Sequence, residues 1–217
     1  MKIRWLFVLL LIAISSLAQT KETYVDGDLN QIAKTVFDQN DLSRSHYRLR
    51  VDLDTLIAPI KVQRNRKGKL APDTLKTIKS LLAKSTGQTV PDNHTLAINY
   101  HHGPNACLKE AHKPVWKYLI KKYYRKLEKL ENVSSFFLYN QAEGLDQFDD
   151  RISWTPDPDL IITQQFFPIH YPCGSFVLID PDGNYYLNRG EYHLHRIIDL
   201  LRVPEDTFSA SSIISKD

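Results

Sequence analysis

What most constrains this chain is the order of its apolar segments between residues 93 and 202. Three short runs, at 95–100 (TLAINY), 134–139 and 175–179 (SFVLI), have the composition and length of buried strands. The third is followed by DPDG at 180–183, a turn with proline at its second position, and by a returning strand at 184–187. Between the first and second runs, Asn105 opens a long helical pattern with Trp116, Ile120, Tyr123, Leu127 and Leu130 on one face, kinked at Pro114. A short helix is predicted at 158–167, and Leu194, Ile197, Ile198 and Leu201 mark a closing helix. The order is therefore strand, helix, strand, helix, strand, strand, helix. A right-handed helical crossover makes the first two strands parallel and the tight turn makes the last two antiparallel, so the product is a mixed α/β sheet.

The first eighteen residues, MKIRWLFVLLLIAISSLA, place Lys2 and Arg4 before an apolar run and end in small residues. That layout predicts a secretory signal over residues 1–18, too short in its apolar part to span a bilayer as a mature helix. The expected location is secreted or periplasmic, with no stable membrane insertion after the signal is removed. The whole chain of 217 residues carries 28 basic and 25 acidic side chains, a formal charge of +3. Loss of Lys2 and Arg4 leaves +1, so no general pull on nucleic acid remains. With 42% hydrophobic and 24% charged residues, disordered and collagen-like classes are excluded, and two cysteines are too few for a disulfide-dense mini-fold.

Residues 19–92 form an N-terminal α+β extension. Asp28 is read as the N-cap of a helix bearing Leu29, Ile32, Ala33, Val36 and Phe37, and 48–53 alternates as a half-buried strand. The basic stretch KVQRNRKGK at 61–69 lacks interleaved aromatics, and a solvated hairpin or loop tip turning at Gly68 is favoured over a nucleic-acid patch. A helix at 72–85 has Leu75, Ile78 and Leu82 on one face, 87–92 is a linker, and from Val203 to the end a flexible tail has little to bury.

Over residues 93–202 the sequence resembles the thioredoxin-like superfamily. The resemblance rests on LAINYHHGPNACLKE, on the proline behind it, and on YPCGSFVLIDPDGNYY. It implies a three-layer α/β/α sandwich around the mixed sheet. Members that exchange thiols and disulfides carry two cysteines, two residues apart, at the start of the first helix; the first attacks and the second resolves. Here that stretch is Pro104, Asn105, Ala106, Cys107, so only the resolving position holds a thiol. Pro172 is the candidate for the family's cis-proline, and Cys173 beside it lies in the loop that faces the helix start. The resemblance thus brings Cys107 and Cys173 into one small region.

Three uses of that pair stay open. One is a structural disulfide in an oxidising compartment. A second is a thiol-redox pair, with Cys107 and Cys173 catalytic. The third is copper or zinc handling, with His101, His102, His112 and His170 as added ligands; against it, adjacent histidines on a strand point to opposite faces. The favoured reading is a non-catalytic binding module with His101, His102 and Pro172 in its binding region, no cofactor or resident metal, and an envelope or extracellular protein as partner. The acidic residues Asp146, Asp149, Asp150, Asp157 and Asp159 lack calcium-loop spacing and read as a solvated loop. Lys121, Lys122, Arg125, Lys126 and Lys129 read as the solvated face of the long helix. Two glycosylation patterns begin at Asn93 and Asn132, and no serine sits in a nucleophile-elbow context.

Overall fold

The computed structural model describes residues 23–39, 45–53, 56–104, 107, 113–148 and 150–209. The expected signal, His112, Asp149 and the last eight residues lie outside them, as does the run preceding Pro114 that its predicted kink would bend.

Strands β6 (Thr95–His101) and β7 (Val133–Tyr139) pair in parallel, joined by a crossover that includes helix α3 (Lys113–Leu127). Strand β9 (Ser175–Ile179) runs antiparallel to β6 on its other side, and β10 (Asn184–Arg189) antiparallel to β9. Two edge strands complete the six, β5 (Asn65–Lys69) beside β10 and β8 (Trp154–Pro156) beside β7, giving the order β5-β10-β9-β6-β7-β8. A single helical turn at Pro158–Leu160 leads into α4 (Ile161–Phe166), and α5 (Leu194–Arg202) follows the hairpin. The predicted order of strands and helices is present.

Period-two alternation sorts the sheet's side chains into two cores. Leu96, Ile98 and Tyr100 face one side and meet Leu75, Ile78 and Leu82 of α2 (Pro72–Thr86) and Ile162 and Phe166 of α4. Ala97, Phe137, Phe176 and Leu178 face the other and meet Ile120, Tyr123 and Leu127 of α3 and Ile197 and Ile198 of α5. The expected α/β/α layering follows, and each fully buried Leu or Ile in it contributes about 1.5–3 kcal/mol. Helix α2 starts on Pro72 and stops at Gly87, whose φ of 69° lets its N–H return to the Ala83 carbonyl.

A second sheet, β2-β1-β4-β3, is built from β1 (Tyr24–Asp26), β2 (Gln31–Ile32), β3 (His46–Leu53) and β4 (Leu56–Gln63). Only Arg64 separates β4 from β5, so the chain passes from the small sheet straight into the large one.

Three expectations are corrected. The helix expected behind Asp28 is a turn, the strand β2 and a five-residue helix, α1 (Lys34–Asp38), whose N-cap is Ala33. The turn wins because the Asp26 carboxylate accepts the N–H groups of Asp28 and Asn30, and because β1 pairs with β2. The basic run at 61–69 is not a loop tip but parts of β4 and β5. Lys61 in it is buried and donates to the Val36 carbonyl at 2.7 Å. After Val203 the chain forms α6 (Pro204–Phe208), with Thr207 buried and Phe208 packed on the α3–α5 core.

The small sheet is fastened to the large one by Asp28, whose carboxylate accepts from Arg189 at 2.5 Å and from Arg66 at 2.6 Å. Arg189 is only 1% exposed and also donates to the Phe166 carbonyl at 3.1 Å. Its guanidinium lies over the Tyr171 ring, and the Tyr171 hydroxyl donates to the Gly27 carbonyl at 2.6 Å.

Candidate functional site

The antiparallel register of β6 and β9 decides where the cysteines go. Tyr100 is the partner of Ser175, so the chain leaving β6 and the chain entering β9 share one end of the sheet. Cys107, in helical backbone beyond β6, and Cys173, two residues before β9, are joined there as a disulfide with Cα atoms 5.4 Å apart. That separation is within the range a bridge spans without moving the backbone. Both cysteines of the chain are used and none is free.

The Cys173 side is shaped by two successive left-handed residues, Cys173 at φ 65° and Gly174 at φ 84°. A side chain on Gly174 would bring its Cβ to 3.2 Å from the Tyr100 carbonyl, so glycine permits the close approach of the loop to β6. Pro172 is half-buried and its peptide bond is trans, as are all described peptide bonds; the cis-proline candidate is not one in this structure. Cys107 is exposed to solvent and Cys173 partly covered.

Beneath the bridge the two adjacent histidines diverge, as strand geometry requires. His101 packs against Phe148 and Trp154, and its Nε2 donates to the Glu143 carbonyl at 2.8 Å. His102 turns the other way into a box of Tyr100, Phe167 and Tyr171, with the His170 ring 5.6 Å away. Its Nε2 is 2.8 Å from the Ser175 hydroxyl, which also accepts the Gly190 N–H at 3.3 Å. Both histidines are 2% exposed. Burial pushes the His102 pKa down to about 3, helped by His170 and His101, and burial lowers His101 as well. Both rings are therefore neutral at physiological pH.

Among the described residues, no group of three or more His, Cys, Asp or Glu side chains is placed to hold a metal ion. A metal site using His101 and His102 together is not formed, since they point to opposite sides of the sheet. Nor does either present itself to a macromolecule. The surface that is presented is a groove of about 1000 Å³ that reaches the disulfide between α3 and α5. Its lining is apolar at Leu119, Tyr123, Leu194 and Ile198, basic at Lys122, Lys126 and Arg196, and acidic at Glu191 and Asp199. Two of the basic residues read as the solvated face of the long helix, Lys122 and Lys126, thus border this groove.

Two polar centres escaped the sequence reading. Asp157, read as one of a solvated cluster, is buried and accepts from the N–H groups of Ile162 and Thr163, from the Thr163 hydroxyl and from Tyr100 Oη at 3.1 Å. The signal for it was its position just before Pro158, at a helix start. Ser175 opens an apolar strand and nothing in its neighbourhood marks it.

No family model and no curated protein matches the chain. Among solved structures it is similar to that of DsbF from MTB in its mixed oxidised and reduced forms. The identity is 17%, the match covers 50% of this chain and 81% of that one, and the TM-score is 0.35. By its own strand order and layering the chain has the mixed α/β/α arrangement that the thioredoxin-like resemblance implies, with one disulfide where β6 ends and β9 begins.

Proposed function

We propose that the chain is an exported binding module, in which the Cys107–Cys173 bridge is structural and the groove beside it receives a segment of an envelope or extracellular protein. The observation that carries this reading is the closed bridge itself. Cys107 is bonded to the loop before β9, and the stretch Pro104, Asn105, Ala106, Cys107 holds no second cysteine to attack. A bond between segments 66 positions apart stiffens the wall of a groove. It persists in the oxidising compartment to which the N-terminal segment directs the chain. No described helix is long and apolar enough to cross a membrane.

Thiol exchange is the second reading, favoured by the exposure of Cys107. In it, a partner thiolate attacks the Cys107 sulfur, forms a mixed disulfide and releases Cys173 as the thiolate; a second partner thiol then completes the reduction. The reduction potential separates the two. Equilibration against a dithiol couple is expected to give a value below about −300 mV, the range of structural bridges. A value of about −270 mV or above, the range of exchange proteins, would replace the binding reading with the redox one.

A further inference from the structure

The disulfide is not alone in joining the ends of β6 and β9. His102 lies five residues before Cys107, on the segment leaving β6, and Ser175 two residues after Cys173, where β9 begins. Their 2.8 Å hydrogen bond spans the same two segments as the bridge, one layer deeper in the fold. We propose that this bond is a second, non-covalent tie across the cysteine pair and that it makes the reduced site acid-sensitive: once the bridge is open, protonation of His102 lets the two cysteine-bearing segments part. The inference holds for a structural or an exchanging bridge alike.

The surroundings of His102 explain why charge would open the site. Its ring is enclosed by Tyr100, Phe167 and Tyr171, and the titratable groups nearest to it are His170, His101 and the hydroxyls of Tyr100 and Tyr171. None of these is an anion at neutral pH, and both histidine neighbours become cations in acid. Among the described residues no carboxylate touches the ring, so an imidazolium there is left to reach water. In the oxidised protein the covalent bond holds the segments together whatever the state of His102. In the reduced protein the tie and the surrounding packing hold them beyond the Tyr100–Ser175 pair, where the β6–β9 ladder ends. The sign is that of a base held neutral by folding. The contribution of the tie is complete above the unfolded-state histidine pKa of about 6.5, and it is lost progressively as pH falls from there toward about 3.

The test starts from the fully reduced protein and one equivalent of 4,4′-dithiodipyridine. The reagent's disulfide is cleaved by one cysteine, which becomes a mixed disulfide and releases one thiopyridone. The other cysteine then displaces the second thiopyridone and closes the protein bridge, so two thiopyridones are released per bridge formed. The closure rate reports how close the thiols are held. Ser175→Ala removes the tie, and His102→Gln keeps a hydrogen-bonding group at the Nε2 position without titrating. At pH 7 the Ser175→Ala protein is expected to close the bridge at least about threefold more slowly than wild type. Thiol ionisation affects wild type and His102→Gln alike, so their rate ratio isolates His102; it is expected to fall at least about threefold between pH 7 and pH 4.5. A ratio that stays flat over that range, or a Ser175→Ala protein that closes as fast as wild type, would overturn the proposal. If His102→Gln does not fold, the wild-type to Ser175→Ala rate ratio decides: it is expected to fall toward one between pH 7 and pH 4.5, and a flat ratio would overturn the proposal.

Discussion

The fold is fastened at two places by opposite chemistries. At the mouth of the groove, Cys107 and Cys173 hold segments 66 positions apart by a covalent bond. At the junction of the two sheets, Asp28 and Arg189 hold segments 161 positions apart by an ion pair, supported by Arg66 and the Phe166 carbonyl. The covalent fastener is exposed on its Cys107 side and fails to reductant. The ionic one has its cation buried and fails when a partner is removed, because a buried guanidinium without its carboxylate keeps its desolvation cost and loses its compensation. The difference teaches that the groove end of the molecule is held by a bond open to reductant, whereas the sheet junction is held by charge and burial that reductant leaves intact.

Breaking each fastener in turn sharpens that contrast. Replacing both cysteines by serine is expected to lower unfolding stability by about 4 kcal/mol, the loop-entropy value for a bridge closing 66 residues, measured by denaturant melts of the oxidised wild type and the variant. A loss under about 1 kcal/mol would mean that the bridge constrains little. Asp28→Ala is expected to cost about 3 kcal/mol, less than a fully buried pair would, because Asp28 is 32% exposed and water reaches it. The loss should be the same with the bridge oxidised or reduced, since the two fasteners share no residue. A cost that depends on the redox state would show them to be coupled. Tyr171→Phe, which deletes only the hydroxyl that donates to Gly27, is expected to cost about 1 kcal/mol by the same melts, and a neutral effect would remove that bond from the clamp.

The two fasteners were also unequally legible in the sequence. Strands β6, β7, β9 and β10 and helices α2 and α5 announce themselves because each combines one clear period with a clear stop: TLAINY, SFVLI and the DPDG turn, or Leu75, Ile78 and Leu82 ahead of Gly87. The cysteines could be placed near each other only through a family resemblance, because their meeting depends on the Tyr100–Ser175 register, a long-range fact. The ionic clamp was invisible. Asp28 before a run of helically spaced apolar residues has the local pattern of an N-cap, and nothing nearby reveals that a buried arginine 161 positions away takes the carboxylate. Edge strand β8 is three residues long, too short for any period to register. The basic run at 61–69 hid β5 because an edge strand faces water and carries charge, and hid the end of β4 because Lys61 is a buried lysine whose ammonium reaches the Val36 carbonyl.

A closed Cys107–Cys173 bridge underlies the proposed role of the groove, and counting thiols tests it most directly. The purified, never-reduced protein, unfolded in denaturant with a thiol reagent, is predicted to show no reactive thiol, and two after reduction. Two reactive thiols in the unreduced chain would contradict the bridge, and with it the structural role proposed for the pair.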